Sequence, residues 1–261
     1  MIYIGYDNRA KKQKWLTPTS INKYIYCPRK YYFKRIAKHP QKLNIHLIRG
    51  LAIHRAIELF YKLKINHCVQ FDFFDFKRIL QDLFWQEWRN QKKNLARLDL
   101  TETELEFYFH ESLKMVKHFV HNFYTNLGFE KPSPVIEKNL VSEKLRLKGR
   151  VDAIFFKQPA RGPPPLILDY KTSKSKEITE GHKRQLFIYA LLYYENQNVI
   201  PDLAIHFLNF KDGLVKLPVS IKELNQTKEL VKKIHNKIKS NNIKDYPCTC
   251  GWCKNEFNLI G

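Results

Sequence analysis

The sequence predicts an α/β protein, a core sheet with a helical N-terminal region wrapped around it. Three observations carry that reading. Apolar residues recur at helical spacing through roughly residue 128. Gly128 and the Pro132-Ser133-Pro134 segment then break the pattern. Beyond them, short runs of branched apolar residues interleave with two further helical stretches, in the order β-β-β-α-β-β-α. Residues 1–261 read as a single domain, with a helical region about 17–128, an α/β core about 135–240 and a cysteine-containing tail 241–261.

Taken in order, Thr17-Pro18-Thr19-Ser20 offers a capping hydroxyl ahead of a helix running to Ile36, SINKYIYCPRKYYFKRI. Further helices are expected over Ile45–Lys64, Phe76–Leu98 and Thr101–Leu127. Gly128 and the prolines after it end the helical half, since proline cannot continue a helix. Val135–Val141, Leu145–Phe156 and Leu166–Lys171 are rich enough in branched apolar residues to be strands. Gln158–Pro165 must be a loop, because its prolines cannot sit in a central strand. A helix over Lys183–Glu195, strands at Ala204–Phe210 and Leu214–Val219, and a helix over Ile221–Ser240 complete the order.

Composition narrows the function classes. At 44% hydrophobic and 14% aromatic residues, the chain has ample material for a core and is not a disordered polyelectrolyte. Lys and Arg total 46 against 25 Asp and Glu, a formal net charge of +21. Such a surplus favours a polyanionic partner, nucleic acid ahead of an anionic membrane, although a Lys-, Asn- and Ile-rich chain also reflects an AT-rich genome. The longest apolar run, Leu186 to Tyr194, is about half the ~20 residues a membrane helix needs. MIYIGYDNRAKKQKW has no apolar stretch before a small-residue cleavage site, so no secretory leader is expected. Five unevenly placed cysteines do not make a secreted disulfide framework, which favours a reducing cytoplasmic setting. The chain has no GxxxxGK[ST] phosphate loop, which argues against an ATP-driven motor.

The most informative stretch is GRVDAIFF, a loop, then LILDYKTSK. On a strand, Asp169 and Lys171 project from the same face, and a hairpin would bring Asp152 beside them. Two carboxylates suit a hard divalent cation such as Mg²⁺ or Mn²⁺, which polarises a phosphodiester and activates water. The lysine would orient that water or offset charge growing on the phosphate. A bare D-x-K is common by chance and is usually a salt bridge; its place after LIL and opposite GRVD gives it weight. Gly50, His54 and Glu58 then fall at i, i+4 and i+8, one helix face, where an imidazole would complete a metal shell.

With those elements in order, the sequence resembles the PD-(D/E)XK nuclease superfamily, in its RecB/AddB-like branch, which includes nucleases associated with CRISPR adaptation. The resemblance runs from SINKYIYCPRKYYF through GLAIHRAIE, GRVDAIF and LILDYKTSK to KRQLFIYALLYY, nearly the whole chain. It implies a restriction-endonuclease-like mixed central sheet flanked by helices. It also implies that Asp152 and Asp169 are metal-binding acids, that Lys171 is the catalytic lysine, and that His54 and the Tyr170 carbonyl are further metal ligands. Gln185 and Tyr189 match its QxxxY and would lie near the active site or DNA. Glu137 could face the same cleft, but reads better as a solvated strand residue. The resemblance further implies that Cys27 joins three C-terminal cysteines around a [4Fe–4S] cluster. The tail departs from that pattern, because Cys248-x-Cys250-x-x-Cys253 is followed by KNEFNLIG with no further cysteine. Four thiolates equally suit zinc, and a metal-free tail stays open. Cys68 reads as a buried apolar residue.

The segment CPRKYYFKRIAK interleaves Arg29, Lys30, Lys34, Arg35 and Lys38 with Tyr31, Tyr32 and Phe33. On a helix the three lysines form one stripe able to follow phosphates, while the rings read as core. Lys11, Lys12, Lys14, Lys171, Lys174 and Lys176 would extend the positive field. The resulting expectation is a metal-dependent DNA nuclease, an exonuclease on single-stranded or exposed ends, in repair, recombination or CRISPR-type processing with a helicase or integrase partner. The alternative is a non-catalytic nucleic-acid-binding subunit on the same fold. No basic helix has the clean apolar face that a membrane-surface protein needs.

Overall fold

The computed structural model describes residues 15–39, 43–63, 72–127, 134–156, 164–238, 241–250 and 253. Lys11, Lys12, Lys14, Lys64, Cys68, Gly128, Pro132 and most of the Gln158–Pro165 loop lie outside the described residues.

Helix α1 (Pro18–Tyr26) opens as expected: Thr17 and Ser20 cap each other reciprocally, and Pro18 sits where its missing N–H costs nothing. The expected run to Ile36 is interrupted, because Pro28 cannot donate the next helical bond. Cys27 is extended (φ −161°), and the chain restarts as α2 (Pro28–Tyr31), which widens into a π turn at Tyr32–Ile36. Helix α3 (Ile45–Lys62) is capped by Asn44, whose side chain accepts the Leu47 N–H at 2.9 Å. Helix α4 (Phe73–Asn90) begins three residues before the expected Phe76, since Asp72 and Asp75 form a capping box. A short α5 (Lys92–Leu95) and α6 (Glu102–Asn122, capped by Thr101) complete the helical half.

The sheet comprises β1 (Val135–Ser142), β2 (Leu147–Phe155), β3 (Leu166–Lys171), β4 (Asp202–Phe207) and β5 (Leu214–Leu217), ordered β1-β2-β3-β4-β5. Among these five strands only β3 and β4 pair in parallel, and α7 (Glu180–Gln197) makes the crossover between them. The final helix is α8 (Ile221–Lys237). The expected mixed sheet flanked by helices is therefore the architecture observed.

Helices cover both faces of the sheet. Leu147, Val151, Ile154, Ile167 and Ile205 pack with α1, α7 and α8. Ala153, Phe155, Leu168, Tyr170 and Ala204 pack with α3, α4 and α6. This double burial explains why LIL of β3 is a continuous apolar run rather than an alternating one. Each fully buried Leu or Ile there contributes about 1.5–3 kcal/mol. No helix among the described residues is long and apolar enough to cross a membrane.

Candidate active site

The end of β3 carries the first part of the site. Asp169 and Lys171 share the α7 side of the sheet, with Lys171 Nζ 2.6 Å from Asp169 Oδ2. Asp169 is 1% exposed, a buried carboxylate that persists only if paired. Gln185 on α7 completes the pairing: its Nε2 donates to Asp169 Oδ1 at 2.8 Å, and its Oε1 accepts from Lys171 Nζ at 3.0 Å. The same Nε2 donates to the Tyr189 hydroxyl at 2.9 Å, one helical turn further on. Gln185 and Tyr189 thus lie against the acid–lysine pair.

The second part lies at a kink in the β1–β2 ribbon. Val151 and Ile154 are three residues apart yet belong to the same core, which a regular strand cannot achieve. On β1, Glu137 adopts φ 53°, in the left-handed region where a non-glycine residue is strained by about 1–2 kcal/mol. The register pairs Ile136 with Ala153 and Lys138 with Val151, so Glu137 stands opposite Asp152. Both carboxylates turn toward α3, which presents His54. Ligand atoms of His54, Glu137 and Asp152 all lie within 4.8 Å of one another. Gly50, His54, Glu58, Glu137, Arg150 and Asp152 line one open cleft of about 610 Å³.

One expectation needs correction here. Glu137, read from sequence as a solvated strand residue, is a member of the acidic group. Asp169 stands beside that group with its two oxygens on Lys171 and Gln185. Glu58, on the His54 face, is instead neutralised by Arg55 at 2.6 Å and Lys62 at 2.5 Å. Arg150 bridges Glu137 and Glu58.

The electrostatics reflect crowded acids in a desolvated hollow. Burial, reinforced by the Asp169 charge, pushes the Asp152 carboxyl up to about 7, although the Tyr170 N–H donates to it at 2.8 Å. Burial and Asp152 raise Glu137 above the usual carboxylate range, with Arg150 opposing. His54 is held below the usual imidazole value by burial, with Asp169 and a backbone hydrogen bond to Tyr170 pulling the other way. Burial also works against the Lys171 ammonium, yet Asp169 and Asp152 outweigh it and hold its pKa above the ordinary lysine value. A divalent cation would relieve the repulsion among these acids, and the donors present, carboxylate oxygens and an imidazole, suit Mg²⁺ or Mn²⁺.

The basic segment is only partly as expected. Lys30, Lys34 and Lys38 do not form one helical stripe: the π turn changes the period, and Lys38 follows it with φ 56°. Arg29 is committed to the tail, its Nε donating to the Tyr246 carbonyl at 3.0 Å. Lys30 lies over the Tyr26 ring at 5.1 Å. Tyr31 and Phe33 are buried in the core, as expected.

The four cysteines at the two ends do come together. Cys27 Sγ lies 3.7 Å from Cys253 Sγ, which lies 3.7 Å from Cys250 Sγ, and Cys248 joins them. Burial opposes the Cys27 thiolate, but the backbone N–H groups of Lys30 and Thr249 and the neighbouring sulfurs bring its pKa down to about 6. Burial pushes the Cys253 thiol up.

Comparison with known proteins accords with this geometry. The sequence profile of the PD-(D/E)XK nuclease superfamily matches residues 15–256. No curated protein matches the chain in sequence. Among solved structures, the crystal structure of a "putative exonuclease" from Eubacterium rectale superimposes with a TM-score of 0.58 over 98% of this chain and 94% of its own. At 10% sequence identity that likeness shows the fold alone.

Proposed function

The chain belongs to the PD-(D/E)XK nuclease superfamily, and from that premise we propose that it is a metal-dependent deoxyribonuclease acting on single-stranded or exposed DNA ends. Phosphodiester hydrolysis is the chemistry of the family. The observation that carries the reading is the convergence of His54, Glu137 and Asp152 beside the Asp169–Lys171 pair.

In this reading His54, Glu137, Asp152, Asp169 and the Tyr170 carbonyl hold Mg²⁺ or Mn²⁺. When bound, the ion supplies a Lewis acid for the scissile phosphate and lowers the pKa of an attacking water. The protein's own groups do the rest. Lys171, kept charged by Asp169, donates through Nζ to orient the water or to offset charge on the phosphate. Gln185 holds both members of that pair in place, and Tyr189 holds Gln185. Arg150, on Glu137 at the cleft rim, is placed to meet a phosphate. The net charge of +21 draws DNA to the cleft whatever its sequence.

The exonuclease mode extends to this chain the description carried by the Eubacterium rectale protein. A role in repair, recombination or CRISPR-type processing, with a helicase or integrase partner, accords with the branch it resembles. The reading takes residues 1–261 as one nuclease domain and puts it inside the cell, where thiols stay reduced. The test is digestion of linear and circular single-stranded DNA with Mg²⁺, Mn²⁺ or EDTA. Metal-dependent shortening of linear DNA alone is expected. Cutting of circles would replace the exonuclease mode with an endonuclease one, and DNA binding without cutting would favour a non-catalytic subunit.

A further inference from the structure

The four cysteines form a second donor set that shares no residue with the catalytic cleft. They are separated by up to 226 positions, and contacts other than sulfur hold the two ends together. The Arg29 N–H donates to the Pro247 carbonyl at 3.3 Å, and the Thr249 hydroxyl donates to the Tyr26 carbonyl at 3.0 Å. Tyr246, fully buried, stacks on Tyr31 with ring centroids 6.2 Å apart. The tail is therefore docked on α1 and α2 by its own packing, and that docking sets the spacing of the sulfurs.

The spacing discriminates between metals. A single tetrahedral ion with metal–sulfur bonds of about 2.3 Å puts its sulfurs about 3.8 Å apart. Thiolates leaving from four different irons of a [4Fe–4S] cube stand roughly 6 Å apart. Here two sulfur–sulfur distances are 3.7 Å, and all four sulfurs lie within 4.8 Å of one another. The set is the size of one ion and too small for a cube. Accommodating a cube would spread sulfurs on two segments whose backbones are hydrogen-bonded to each other. Four soft donors with no oxygen or nitrogen among them make a closed structural site of the kind zinc occupies.

We propose that Cys27, Cys248, Cys250 and Cys253 bind one zinc ion that fastens the C-terminal tail to the N-terminal helices. This stands independently of the nuclease reading.

The test uses the full chain expressed in medium containing both iron and zinc, then analysed for metals. The expected result is about one zinc per chain, little iron, and no absorption band near about 400 nm. Replacement by Co²⁺ should give the bands between roughly 600 and 750 nm expected of a tetrahedral tetrathiolate. Cys248→Ser with Cys250→Ser should remove the zinc and those bands while leaving Mn²⁺ binding at the cleft. Cys253→Ser is more exposed to misfolding because Cys253 is buried, so Cys248, on the surface, carries the decisive variant. Iron in place of zinc, whether one per chain or about four with a band near about 400 nm, would overturn the proposal. So would a protein that binds no zinc, or zinc retained in full by the double variant.

Discussion

Gly149 offers a test of the way α7 supports the Asp169–Lys171 pair. It lies in β2 directly under α7, and a methyl added there would meet Tyr189 Cε1 at 2.8 Å, Tyr189 Cδ1 at 3.0 Å and Leu192 Cδ1 at 3.2 Å. Comfortable carbon–carbon contact is about 3.5–4.0 Å, so the Tyr189 ring would have to move by roughly 0.5–1 Å. Tyr189 is 5% exposed and packed in the core, which leaves it little room to yield. Overpacking of this kind costs about 1–3 kcal/mol, and the entropic gain of alanine over glycine in a strand offsets about 0.5–1 kcal/mol. A net loss of about 1–2 kcal/mol in urea unfolding is expected for Gly149→Ala. The displacement also travels to chemistry, because Tyr189 accepts from Gln185, and Gln185 holds Asp169 and Lys171. A misplacement approaching 1 Å costs on the order of 100-fold in rate, measured at saturating Mg²⁺. In a Tyr189→Ala background the same change should cost less than about 0.5 kcal/mol, because the clashing ring is gone. Equal costs in both backgrounds, or full activity of the single variant, would refute the reasoning.

Three further outcomes follow from the same geometry. Glu137→Gln should weaken Mn²⁺ binding at least tenfold or so by calorimetry and depress hydrolysis with it; unchanged binding would remove Glu137 from the site. Between the ordinary carboxyl value of about 4 and its folded value of about 7, Asp152 keeps in the folded protein a proton that the unfolded chain has released. Its contribution to the stability of metal-free protein therefore falls as pH rises through that window, and Mg²⁺ should reverse the loss. Thermal melts from pH 4 to 8 in EDTA, compared with Asp152→Asn, would read it; an identical slope in both proteins would contradict it. Arg49 is 1% exposed, and its guanidinium nitrogens have no hydrogen-bond partner among the described residues; the Tyr108 ring lies at 5.8 Å and the Glu111 charge favours its ionised form, but burial outweighs both. Arg49→Met should stabilise the protein by about 1–3 kcal/mol, and a lower urea midpoint would show that the buried charge is compensated.

Much of this was legible from pattern. Leu166–Lys171 was read with its observed bounds, because a continuous branched run enclosed by turn residues has few other solutions. The acid–lysine pair follows from period-two geometry; Gln185 and Tyr189 come from the family resemblance, and helical spacing adds only that they share one face. Helix α7 began three residues earlier than expected because its N-terminus is capped by a Thr179–His182 box, where a glutamate would have been the signal. Glu137 reads from sequence as a solvated strand residue because its position depends on a left-handed backbone that nothing in VIEKNL advertises. Its partner could still have been found by counting: Glu137 and Asp152 are equidistant from the turn at Glu143–Arg146, so any tight hairpin sets them opposite each other. The lysine stripe failed for a tertiary reason, since Pro28 restarts the helix and the following turn widens around a buried Tyr31 and Phe33.

The central claim is that DNA hydrolysis occurs at the cleft between α3 and the β1–β3 strands and depends on Lys171. Hydrolysis of end-labelled single-stranded DNA by the native protein and by Lys171→Met, with Mg²⁺ or with EDTA, tests it most directly. Native protein should cut only with Mg²⁺, and Lys171→Met should lose at least about 1,000-fold in rate while binding DNA nearly as tightly, since one phosphate-facing charge among many costs little affinity. Cutting that survives EDTA, or a Lys171→Met protein that keeps its rate, would contradict the account.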